Sequence, residues 1–131
     1  MTTLYETDKL IIQHEFEYAY LCDKKSGMKL MYDDFYGDSA CGLISHNNDW
    51  AIIAGEHLTL WINGHIKKVE NEDLKWIHSV RAKGDYMVEI LIDPWSDKSA
   101  IWELDLRTLK YIKLRDFSDY REKESCYTIV W

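Results

Sequence analysis

One proline and six glycines in 131 residues leave little material for a linker, a hinge or a low-complexity stretch. No run approaches the ~20 consecutive apolar residues that a membrane-spanning helix requires. The opening segment, Met1 to Lys9, lacks the basic-then-apolar order of a secretory signal. Cys22, Cys41 and Cys126 form an odd set without CxxC spacing, and read as reduced thiols packed as small hydrophobes in a cytoplasmic protein. Motifs that carry chemistry are missing as well. There is no HxH or HExxH pair, no glycine-rich phosphate loop and no Gly-x-Ser-x-Gly elbow. Gly37 and Gly42 are isolated, and Asp33-Asp34-x-x-x-Asp38 lacks the full calcium-loop pattern. The sequence therefore predicts no catalytic residue, no metal and no cofactor.

What is present is apolar and aromatic. The composition is 47% hydrophobic and 14% aromatic, with six Trp and nine Tyr. Each large ring buries roughly 150–250 Å², enough to fill a thin β core with few residues. The length fits one domain, residues 1–131. A net charge of -7 repels phosphate backbones, so nucleic acid is disfavoured as a direct partner and a basic protein is favoured. Acidity of this kind also keeps ordinary cytosolic proteins dispersed.

The dominant hydrophobic period is two, which predicts an all-β, mainly antiparallel chain. Phe16, Tyr18 and Tyr20 alternate with polar or small neighbours and read as one strand; a helix over Leu10 to Tyr20 fits the helical period less well. Further strands are expected at Lys29–Tyr32, Cys41–Ser45, Trp50–Ala54, Leu58–Ile62, His65–Val69, Lys75–Ala82, Tyr86–Ile92, Ala100–Asp105, Leu109–Leu114 and Cys126–Trp131. His46-Asn47-Asn48-Asp49 has turn chemistry, and Asn63-Gly64 is the strongest short hairpin signal. Trp61 and Trp102 stand about 41 residues apart, each before a turn and a Lys-rich return strand, a spacing close to that of β-propeller blades. The chain is too short for a closed propeller. An up-and-down meander of about eight strands, with propeller-blade-like hairpins, folded as a sandwich or open barrel, is the economical architecture.

Five histidines (His14, His46, His57, His65 and His78) offer only geometric pairings: His57 with His65 across the Asn63-Gly64 hairpin, His46 with Asp49, or His46 with Cys41. The carboxylates cluster on expected loops beside aromatic residues. From these the candidate partner-binding set is Asp33, Asp34, Tyr36, Asp38, Asp49, Trp50, Glu56 and Trp61. Tyr and Trp are favoured at interface hot spots, and acids around them steer a basic partner.

In the stretches Tyr32-Asp33-Asp34-Phe35-Tyr36-Gly37-Asp38 and Asn48-Asp49-Trp50 the chain resembles small immunity proteins of bacterial contact-dependent growth-inhibition and polymorphic-toxin systems. The resemblance is one of whole-chain style, without a diagnostic motif. It implies a protein, monomeric outside its complex, that binds a basic toxin domain (a nuclease in particular) and blocks its active site. The alternatives are a small-ligand or carbohydrate-binding β module, a small hydrolase using His and carboxylates, and a structural subunit of a propeller-like assembly.

Overall fold

The computed structural model describes residues 2–35, 41–121, 123 and 129–131. It is all-β, with three four-stranded antiparallel sheets and no helix among the described residues. Sheet 1 comprises β1 (Thr2–Glu6), β2 (Leu10–Glu15), β3 (Tyr18–Asp23) and β4 (Lys29–Asp34). Sheet 2 comprises β5 (Cys41–Ile44), β6 (Trp50–Ala54), β7 (Leu58–Ile62) and β8 (His65–Val69). Sheet 3 comprises β9 (Ile77–Ala82), β10 (Met87–Ile92), β11 (Ala100–Asp105) and β12 (Tyr111–Asp116). Strands adjacent in sequence are adjacent in each sheet. The expected up-and-down meander is thus present three times over, with twelve strands among the described residues rather than about eight.

From β5 onward the strands fall where the alternation places them. The correction lies at the start of the chain. Phe16 and Glu17 form a tight turn, with Phe16 at φ 55°, and Glu15 pairs with Tyr18 across it. The expected single strand through Phe16, Tyr18 and Tyr20 is therefore broken, and the helix alternative over Leu10 to Tyr20 is replaced by β2 and β3. A Phe-Glu turn has none of the usual turn residues, so period-two alternation runs through it unmarked. Of the expected last strand, residues 126–128 lie outside the described residues, and 129–131 are not in a strand.

The other turns obey their chemistry. Asn63 and Gly64 adopt φ 51° and 79°, the pair of positive values that a two-residue hairpin of matching twist demands. The β3–β4 and β11–β12 turns share one design. The Asp23 and Asp105 carboxylates each accept two backbone N–H bonds, from Lys25 and Ser26 and from Arg107 and Thr108. Each turn closes on a residue of positive φ, Gly27 or Leu109. Trp61 and Trp102 both lie on the third strand of their sheets, and the same spacing backwards from Trp61 reaches Tyr20 on the third strand of sheet 1.

The sheets stack face to face with sheet 2 in the middle. One core cluster joins sheets 1 and 2 through Leu10, Ile12, Leu21, Ile44 and Ile53; a second joins sheets 2 and 3 through Trp50, Ile52, Leu60, Val88 and Ile90. Every residue of β6 is buried, because both of its faces are covered. Beyond sheet 3, Phe117, Tyr120, Ile129 and Trp131 pack over Leu91 and Ile101. The strand directions sort the connections into two ends. The upper end carries the β2–β3, β4–β5, β6–β7, β8–β9 and β10–β11 connections, and the lower end carries the turns within the remaining hairpins.

Close stacking of β5 on sheet 1 depends on Gly42. A Cβ there would stand 3.1 Å from Ile12 Cδ1 and 3.2 Å from Leu4 Cβ. Gly42→Ala is expected to push sheet 1 off β5 and lower stability by about 1–3 kcal/mol, read as a lowered urea midpoint with an unchanged slope.

Candidate functional site: the acidic end of the sheet stack

The eight candidate residues do not form one surface. Asp34 and Glu56 lie at the upper end, whereas Asp49, Trp50 and Trp61 lie at or toward the lower end. Tyr36 and Asp38 lie outside the described residues. Three of the others, Asp33, Asp49 and Trp50, are engaged in hydrogen bonds within the fold.

Asp33, near the end of β4, reaches across to sheet 2. Its Oδ2 accepts a hydrogen bond from the Thr59 hydroxyl and lies 2.7 Å from His57 Nε2. The Phe35 ring stacks on His57 at 4.3 Å, closing the network from above. Asp49 does the equivalent work at the lower end between sheets 2 and 3. It accepts from Ser45 Oγ at 2.5 Å and from the Tyr86 hydroxyl at 2.8 Å. Trp50 is 1% exposed, and its indole N–H donates to the Asp85 carbonyl at 2.7 Å, adding a second tie to sheet 3. Trp61 is half-buried and packs against the core between sheets 1 and 2.

Burial alone would raise both aspartate pKa values. In Asp33 the bonds from Thr59, His57 and the Asp34 N–H outweigh it and hold the carboxyl below its ordinary value. In Asp49 the bonds from Ser45 and Tyr86 do the same.

Among the described residues two of the pairings weighed from sequence fall apart, whereas His46 and Asp49 share the β5–β6 turn and border one depression. His57 and His65 sit at opposite ends of their hairpin, since Leu58 pairs with Val69 and Ile62 with His65. Cys41 begins β5 at the upper end while His46 lies in the lower turn, and burial pushes the Cys41 thiol up to about 12. No group of His, Cys, Asp and Glu there could hold a metal ion.

The site that sequence reasoning missed is a groove at the upper end between sheets 2 and 3. Two connected depressions, of about 550 Å³ and 300 Å³, share Trp76 and Asp93 as common walls. Trp95, His78 and Glu56 line the smaller; Glu72, Asp97, Lys98 and Trp102 border the larger. Trp76 is 50% exposed and sits at φ 56°, a conformation a Trp adopts only when its surroundings impose it. Three backbone bonds impose it: Trp76 N–H to Glu56 O, Ile77 N–H to Gly55 O and Asp93 N–H to Trp76 O. His78, edge-on to Trp95 at 5.3 Å, has its pKa lowered by burial against the opposing pull of Asp93, which favours the neutral ring.

The groove lies in an acidic surround. Around the upper end carboxylates outnumber cations by about two to one, while the lower end is close to balanced. Two of the upper cations are already engaged, Lys113 with Asp116 and Lys75 with Glu72. The arrangement presents negative charge around a half-exposed indole, the chemistry that receives Lys or Arg side chains. No single sequence signal marks it, because its walls come from the β6–β7, β8–β9 and β10–β11 connections.

Removing the Asp33 carboxylate strands the Thr59 hydroxyl and His57. Asp33→Ala is expected to cost about 1–3 kcal/mol in chemical denaturation. Because folding lowers the Asp33 pKa, its contribution is complete above the unfolded carboxyl value of roughly 4 and is lost as pH falls through the folded value. The stability gap between wild type and Asp33→Ala should therefore narrow below about pH 4. A gap unchanged down to pH 2 would show that Asp33 is not ionised in the folded protein.

No protein-family model matches the chain, and no curated protein sequence does. Among solved structures, a chain from the S. cerevisiae complex of a Dbp5 variant bound to Nup159, a Gle1 variant, IP6 and ADP is similar, with a TM-score of 0.57 at 12% identity. The match covers 86% of this chain and 32% of that one, so this chain spans about a third of the protein it resembles. The likeness is one of fold alone.

Proposed function

We propose that this protein binds a basic protein domain through its upper end, as an immunity or inhibitor protein does when it covers a toxin's active site. The observation that carries this reading is the one-sided placement of charge: the acidic excess gathers around a groove walled by the half-exposed Trp76. Nucleases hold their substrates with Lys and Arg. An acidic surface with an aromatic centre engages the same cations, steers encounter and excludes nucleic acid.

The groove also favours a second reading, a small-ligand or carbohydrate-binding module in which a sugar stacks on Trp76 beside Asp93. The two readings differ in salt dependence and in the size of what is bound.

A tagged full-length chain expressed in its native host, followed by mass spectrometry of what copurifies, should yield a basic protein at equal stoichiometry. Glu72→Lys with Asp97→Lys should weaken that association about tenfold or more at low salt, chiefly through the association rate. A partner retained with undiminished affinity by the double variant, or binding of a neutral glycan in place of any protein, would overturn the reading.

A further inference from the structure

We propose that the cleft between the β5–β6 and β9–β10 turns, at the lower end of the stack, is a binding site for the guanidinium group of a small ligand. The cleft measures about 180 Å³, and its walls come from residues 45–50 of sheet 2 and 82–86 of sheet 3. That volume is below the roughly 300 Å³ at which pockets for whole drug-sized ligands begin, so it takes a headgroup rather than an extended molecule. Thr2, where β1 begins, and the β4–β5 connection lie at the opposite end of the stack.

Asp49 lines this cleft as a half-buried carboxylate, held ionised by the Ser45 and Tyr86 hydroxyls. Both donors are neutral, and Asp49 takes part in no ion pair among the described residues. A carboxylate drawn partly out of water without a counter-ion attracts one, since part of its hydration is gone. Asp85 adds a second carboxylate at the rim, near enough to act on the Tyr86 hydroxyl. Arg107 stands 4.5 Å from the Tyr86 ring centroid, outside the lining of the cleft.

The donor set narrows the occupant. Two carboxylates repel an anion. The described residues gather no set of His, Cys, Asp and Glu for a metal ion, so a cation here must bring its own hydrogen-bond donors. Each Asp49 oxygen accepts one hydroxyl and keeps a second lone pair. A guanidinium fork meets both oxygens at once with parallel N–H bonds, whereas an ammonium is a single point of charge. Trp50 and Tyr86 add aromatic surface for a planar cation, and Arg107 shows the Tyr86 ring already receiving one.

Amide and indole NMR spectra of the full chain, titrated at constant ionic strength with N-methylguanidinium, N-methylurea and methylammonium, test the site. N-methylguanidinium should shift the signals of residues 45–50 and 82–86, the Trp50 indole N–H among them, and saturate with a Kd on the order of 1–10 mM. N-methylurea has the shape without the charge, and methylammonium the charge without the fork, so each should bind about tenfold more weakly. Asp85→Asn should weaken N-methylguanidinium about threefold and Asp49→Asn about tenfold, with thermal midpoints verifying that the variants fold. If Asp49→Asn does not fold, Asp85→Asn and the three-probe comparison decide. Equal affinity for N-methylurea or methylammonium, an Asp85→Asn variant without effect, or no saturable shift at these turns would overturn the proposal. The probes report on the lower end alone, so this site and the acidic upper end succeed or fail separately.

Discussion

Sheet 2 is covered on both faces, and this one constraint organises the molecule. A strand such as β6, buried from Trp50 to Ala54, has no polar face to spare, so its sequence is continuously apolar. Polar groups that enter the stack must find partners there, since an unpaired buried group costs about 1–3 kcal/mol. Two aspartates meet that demand at opposite ends. Asp33 ties sheet 1 to sheet 2 through Thr59 and His57, and Asp49 ties sheet 2 to sheet 3 through Tyr86. Each tie joins one sheet to the next through a hydrogen-bonded carboxylate.

The acidic residues thus divide into two populations with different physics. Those inside the stack have lowered pKa values set by the hydrogen bonds they accept, and their charge is spent locally. Those on the upper connections face solvent, and their fields add. An antiparallel meander returns every second connection to the same end, so loops far apart in sequence, such as 55–57, 70–76 and 93–99, become neighbours. That is how Glu56, Trp76 and Asp93 come to line one groove. The strained backbone of Trp76 is stabilised by the bonds that also join sheets 2 and 3, so the groove is built on the fold and not on a free loop.

Much of this architecture was legible in the sequence. The all-β class, the strands from Cys41 to Leu114 and the Asn63-Gly64 turn follow from alternation and turn chemistry. The spacing of Trp61 and Trp102 falls on equivalent strands, the third of each sheet, where both rings pack against a core cluster. The first hairpin was hidden, since Phe16-Glu17 looks like strand. The site was legible only in kind. Acidity with aromatic residues was visible, but the internal hydrogen bonds of Asp33, Asp49 and Trp50 were not, because sequence proximity to a loop does not distinguish a carboxylate facing solvent from one facing the next sheet. The groove at Trp76 depends on which connections share an end, which requires the stacking order.

Hydrogen exchange on the protein alone and in complex with its copurified partner tests the central claim most directly. The acidic-end account predicts that binding slows exchange in the upper connections, above all at 70–76 and 93–99, and leaves the lower turns at 46–49, 63–64 and 105–109 unchanged. Protection confined to the lower turns, with the Trp76 groove exchanging freely in the complex, would contradict it.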